Sequence, residues 1–222
     1  MPENLRDTLV FLRELRVNNN RSWFEANRRR YEPARAHFEG FVAELIAGFG
    51  DVEDLGSVTV KECVYRINRD IRFSPDKSPY KSTMSAVIGR EGRKSTGRSY
   101  YVQIAPDGES LLAGGLYQPS TQELDRMRRS IADDSTAFRK IVNKRDFKQF
   151  FGELDGERLK TAPQGYRKDH PDIDLLRLKQ FLAEHSFSNE EVLADDLAAQ
   201  IIAMCEAMKP FLTYIQTALE GE

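Results

Sequence analysis

The chain has 222 residues, 40% of them hydrophobic and 31% charged, with a formal net charge of −2. That length suits one large domain, and a near-neutral balance gives no global reason to expect a polyanion partner. No stretch approaches the roughly 20 apolar residues of a membrane span.

Leu5, Leu9, Leu12 and Leu15 recur at helical spacing and predict an opening amphipathic helix. Asn18-Asn19-Asn20 ends it, because asparagine competes for backbone hydrogen bonds and tolerates the left-handed conformation. Ser22-Trp23-Phe24-Glu25 reads as a capping box for the next helix. Pro33 kinks or restarts that helix, and Phe38, Phe41, Val42, Leu45 and Phe49 carry its apolar stripe onward.

The period then changes. Cys63, Tyr65, Ile67, Ile71 and Phe73 alternate with Val64, Arg66, Asn68, Asp70 and Arg72, which predicts a half-buried strand over 63–73. Further strands are expected at 84–88, 100–104 and 111–117, with Pro106-Asp107-Gly108 as a turn. Short connections without helices favour antiparallel pairing. After Pro119 the pattern is helical again, through Leu124, Met127 and Ile131 and then Phe138, Ile141 and Val142. A polar loop with Pro163, Gly165 and Pro171 follows. A long stripe from Leu193 to Leu219, interrupted by Pro210, reads as one kinked helix or two abutting ones. The stripe suits packing against the sheet, with a dimer seam as the alternative. The expected fold is therefore α+β, an antiparallel β-meander of four or more strands flanked by N-terminal and C-terminal helices. It is read as a single domain over 1–222, helical at 1–50, sheet at 58–118 and helical at 121–222.

Charge is unevenly distributed. Residues 66–98 hold nine Lys/Arg against three acids, while 172–222 hold ten acids and three bases. The two segments either pair internally or leave the basic one facing an anion. Its densest part is 66–81, where Arg66, Arg69, Arg72, Lys77 and Lys81 accompany Asp70, Asp76 and Tyr80. Arg69 falls on the apolar face of the expected strand, where an unpaired guanidinium is very costly. Asp70, between Arg66 and Arg72, is placed to stay ionised and orient them. Arginine forks of this kind suit a carboxylate or phosphate. The turn with Pro75 and Pro79 presents Lys77, Tyr80 and Lys81 near the same strand end. The ligand-binding set is thus Arg66, Arg69, Asp70, Arg72, Asp76, Lys77, Tyr80 and Lys81, and the competing reading is an internal network that pins the turn.

Other signals are weaker. Gly92-Arg93-Lys94-Ser95-Thr96-Gly97-Arg98-Ser99 nearly matches the phosphate loop GxxxxGK[ST], but a strand rather than a helix is expected after it. It reads instead as a mobile basic hairpin loop able to close over an anion. Arg28-Arg29-Arg30, with Arg21 and Arg35, reads as a solvated helix face. His37, His170 and His185 lack metal-ligand spacing, and the cations around Asp70 and Asp76 argue against Mg²⁺ there, so neither metal nor cofactor is expected. Met1-Pro-Glu-Asn-Leu-Arg-Asp lacks the apolar core of a secretory signal. Cys63 and Cys205 make neither a disulfide framework nor a zinc site. A cytoplasmic protein with reduced thiols is the expectation.

Arg66-xx-Arg69-Asp70-x-Arg72-Phe73 followed by Asp76-Lys77-xx-Tyr80-Lys81 resembles the hallmark of an uncharacterised, mainly bacterial family, domain of unknown function 2461. The likeness extends to Phe11-Leu12, Asn18-Asn19, Arg21, Trp23-Phe24, Asn27 and Tyr31. It continues at Tyr101 to Pro106, Gly114-Gly115-Leu116-Tyr117, Pro163, Gly165-Tyr166 and His170-Pro171. It implies no activity, substrate or cofactor, since the family has none established.

Three functions compete beside a purely structural charge network. The first is binding of a small phosphate- or carboxylate-bearing ligand by the arginine and lysine cluster. The second is an enzyme acting on a phosphorylated or nucleotide-like substrate, with Asp70 or Tyr80 as acid or base. The third is nucleic-acid binding along a basic surface, disfavoured by the overall charge. No membrane partner is expected, and the sequence does not fix an oligomeric state.

Overall fold

A computed structural model of the chain describes residues 5–154 and 156–221. The reading of residues 1–4 as free of a secretory signal lies outside the described residues, as does Glu222 of the acidic arm. The chain divides into two compact units, Met1–Leu112 with Ser186–Ala203, and Ala113–His185 with Met204–Glu222.

The first unit opens with α1 (Arg6–Val17), α2 (Arg21–Ala26) and α3 (Arg28–Gly48). Leu9, Phe11, Leu12 and Leu15 of α1 are buried, as the leucine spacing predicts. Thr8 ties α1 to α3 by donating to the Ala34 carbonyl at 2.7 Å. α2 is capped by Asn20, whose side chain accepts from the Trp23 amide, and not by the Ser22 capping box expected. Pro33 lies inside an unbroken α3, and the break falls earlier, at Asn27.

A 3₁₀ turn at Phe49–Asp51 leads to α4 (Val60–Cys63), which starts on a Thr59–Glu62 capping box. β1 (Met84–Ile88) pairs antiparallel with β2 (Tyr100–Ile104), from Met84 opposite Ile104 to Ile88 opposite Tyr100. β3 (Ser110–Leu116) begins in this unit and ends in the next. α9 (Asn189–Val192) and the start of α10 (Leu197–Glu220) also belong here. The core is formed by Phe38, Val42, Leu45, Phe49, Ile88 and Tyr100, with Phe49 edge-on to Tyr100.

The second unit holds α5 (Thr121–Asp133), α6 (Thr136–Val142), α7 (Arg145–Phe151), α8 (Ile173–Leu176), most of β4 (Phe181–Phe187) and the rest of α10. Phe138 meets Phe181 edge-on at 5.9 Å and Phe211 at 5.9 Å, and Phe147 meets Phe211 at 5.4 Å. Arg128 is buried here, and its guanidinium is spent on the Leu176 and Leu178 carbonyls. α10 passes through Pro210 without a break.

The sheet is four-stranded and antiparallel, in the order β1-β2-β3-β4, so the chain is α+β as expected. Its membership differs. Residues 63–73 do not form a strand. Cys63 ends α4, and only Val64 (opposite Ala86) and Asn68 (opposite Tyr80) make isolated bridges. The alternation there is real, but the chain leaves the edge of β1 after Tyr65, whose amide bonds the Ser85 carbonyl, and pairs with residues 79–81 instead. Phe73, expected on the apolar face, is 94% exposed. The fourth strand is β4, inside the stretch expected to be helical.

β4 closes tightly on β3. A side chain at Gly115 (φ +135°) would place its Cβ 2.1 Å from the Phe181 carbonyl oxygen. Gly115→Ala is therefore expected to cost about 2 kcal/mol or more in urea unfolding, by overlap and strain together. Gly50→Ala, with open space around it, is expected to leave the midpoint within about 0.5 kcal/mol.

Candidate functional site

One extended strip organises the motif region. The Arg69 amide bonds the Pro79 carbonyl at 2.9 Å and the Lys81 amide bonds the Ile67 carbonyl at 2.8 Å, either side of the Asn68–Tyr80 bridge. In this register the amide and carbonyl of Tyr80 point away from Asn68. Asn19 takes both: its side-chain amide donates to the Tyr80 carbonyl at 2.9 Å and its oxygen accepts from the Tyr80 amide at 3.1 Å. The helical half of the unit thus grips the strip as another strand would. Successive side chains of an extended chain point to opposite faces. Tyr80 stacks on Phe24 with centroids 4.0 Å apart, while Lys81 lies over Tyr65.

The turn between the two arms uses up much of the charge that the sequence gathers. Arg69, with a 25% exposed side chain, pairs with Asp76 and also donates to the Ser78 carbonyl and the Ser74 hydroxyl. Asp76 accepts from the Ser78 amide at 2.9 Å. Bonding from Ser78, then from Arg69, holds its carboxyl down at about 2. Arg72 grips both oxygens of Asp70, at 2.9 and 2.6 Å, and its hydrogen bond is the main cause holding that carboxyl low. Lys77 donates to the Ile71 carbonyl. Arg69, Asp70, Arg72, Asp76 and Lys77 are therefore each tied to one another or to the backbone of the turn.

Arg66 and Lys81 are different. Arg66 is exposed and, among the described residues, makes no hydrogen bond or ion pair. The Lys81 ammonium sits 4.8 Å from the Tyr65 ring centroid, and the Arg93 guanidinium 5.8 Å from the same ring. Burial, then the positive charges of Arg66 and Arg93, push the Lys81 amine down. Arg93 donates only to the Glu62 and Lys61 carbonyls. Gly92 allows this: at φ +53° a Cβ there would sit 2.6 Å from the Glu62 oxygen, so only glycine lets the loop settle on α4. The loop expected to be mobile is anchored by Gly92 and Arg93. Arg98 is likewise fixed, bidentate on Glu53 at 2.8 and 3.1 Å.

On the Tyr80 face a cleft of about 460 Å³ opens between α2, α3 and the strip. Phe24, Tyr31, Ile67, Pro79 and Tyr80 line it apolarly, and Arg21, Glu25, Arg28 and Asn68 supply the polar part. The only tryptophan of the chain, Trp23, precedes Phe24 on α2.

Residues 7–214 match the family described as a conserved hypothetical protein, DUF2461. The chain belongs to this family. No curated protein and no solved structure matches it.

Of the eight residues singled out by sequence, the structure joins five in the closed turn, sets Tyr80 as a stacked wall of the cleft, and leaves Arg66 and Lys81 beside Arg93. Tyr65, Asn19 and Asn68 were not singled out. Asn19 had a signal, since one asparagine suffices to end α1 and another to cap α2. Cys63 is buried, and burial pushes its thiol up to about 11.

Asp76 supplies a test of the turn. Its carboxyl is held below the ordinary 3.8, so its stabilising effect is complete above that value and is lost as pH falls toward about 2. A carboxyl titration followed by NMR is expected to show a midpoint near 2. Asp76→Asn is expected to flatten the loss of melting temperature below pH 4. A midpoint at the ordinary value would remove the clasp.

Proposed function

We propose that this protein binds a small phosphate- or carboxylate-bearing ligand against Arg66, Lys81 and Arg93. The observation that carries this reading is Lys81 itself. Its ammonium is half-buried, faces two guanidinium groups, and makes no hydrogen bond or ion pair with any described carboxylate. Such an arrangement destabilises the unliganded protein and is relieved by an anion, whose oxygens replace the missing partner. The neighbouring acids do not compete, because Asp70 and Asp76 are held by Arg72 and Arg69 and Glu62 caps α4. Tyr65 adds a ring face that keeps both cations in place without neutralising them. A cytoplasmic setting belongs to this reading, supported by two free, buried thiols. No helix among the described residues is long and apolar enough to cross a membrane.

Two effects of opposite sign separate ligand binding from architecture. Without added anion, Lys81→Met is expected to melt at or above the parent temperature, since it removes a desolvated charge from two like neighbours. With phosphate tenfold over its dissociation constant, the parent is expected to gain about 2–4 °C over sodium chloride of equal ionic strength. Lys81→Met is expected to gain nothing. A parent protein indifferent to phosphate and sulfate would overturn the proposal, as would an equal gain in the variant.

A further inference from the structure

The cleft on the opposite face of the strip is not part of that anion site, and its chemistry is its own. We infer that it is a separate binding site for a ring-bearing small molecule that carries an acidic group. Its volume of about 460 Å³ falls within the range of roughly 300–1,000 Å³ typical of small-molecule pockets. Its aromatic wall is fixed by mutual contact. Phe24 stacks on Tyr80 at 4.0 Å and tilts against Tyr31 at 5.0 Å. The Tyr80 backbone is further held by the two hydrogen bonds it shares with Asn19, one accepted and one donated. Rings locked in this way offer faces and edges to a ligand ring at little entropic cost.

The polar groups say what the ring carries. Glu25 is the one acid lining the cleft, and both its oxygens are taken by Arg28, at 3.1 and 3.2 Å. Arg21 makes no hydrogen bond or ion pair among the described residues, and neither the Asn68 amide nor the Tyr80 hydroxyl has a side-chain hydrogen-bond partner. The unspent groups are thus a full guanidinium, an amide and a phenol, with a positive balance, beside an apolar wall. An acid accepts from all three, and a ring fills the space against Phe24, Tyr31 and Tyr80.

Phenyl phosphate is the probe, with inorganic phosphate and phenol as its two halves, and Trp23 on α2 as the reporter. We expect a saturable change in Trp23 fluorescence at concentrations where neither half produces one. Arg21→Ala is expected to weaken binding about tenfold, as loss of a charged hydrogen-bonding group does, and Asn68→Ala to weaken it severalfold. Lys81→Met is expected to leave it unchanged, so the outcome stands apart from that of the anion site. Four results each overturn the inference: no saturable response to phenyl phosphate, inorganic phosphate matching it, Arg21→Ala binding like the parent, or Lys81→Met abolishing the response.

Discussion

Two hydrogen bonds between Asn19 and the backbone of Tyr80 tie the motif region to the N-terminal helices. An asparagine side chain carries the donor and acceptor of a peptide group on a short stem, so it can complete a strand edge where no strand exists. By doing so it satisfies the amide and carbonyl that the Asn68–Tyr80 register leaves facing outward. Everything on either face follows from that grip. Tyr80 is pressed onto Phe24, and the next residue is turned to the opposite side, over Tyr65. One strip thus separates an aromatic cleft from a cationic patch.

The patch shows how local pairing creates a selective surplus. Charge counting over residues 66–98 treats the cations alike, yet the protein sorts them sharply. Arginines that reach an acid are consumed, Arg69 by Asp76 and Arg72 by Asp70 within the turn and Arg98 by the distant Glu53. Lys81 and Arg93, gathered on Tyr65 where Gly92 seats its loop on α4, pair with no acid among the described residues. Exposed ion pairs contribute little to stability. Their larger effect here is to withdraw Asp70 and Asp76 from competition for Lys81.

Much of the scaffold could be read in the chain. The leucine spacing of α1, the β1 and β2 runs and the helical stripe ending in α10 are local patterns that burial then enforces. The strand expected at 63–73 fails because alternation establishes an extended chain and not its partner. The neighbouring edge of β1 accepts it at Val64 and Tyr65 only. β4 escapes detection for the converse reason: Leu182 on its outward face and His185 on its inward face blur the alternation, and its pairing is set by a distant strand. Gly114-Gly115 was the available clue, since a strand without side chains invites close approach. At the site, Arg66 and Lys81 could be picked out by type. That Arg69 is closed and Lys81 open depends on carbonyls and serines no composition reveals.

The grip on Tyr80 also has a consequence in time. Its two halves are separated by 61 positions, so on the ribosome the N-terminal helices emerge well before the segment that covers Phe24. Closing a loop of that length costs entropy that only the completed strip returns. Until then the nascent chain carries a bare aromatic surface. Phe24, which walls the cleft in the finished protein, is during synthesis an exposed apolar surface open to other chains.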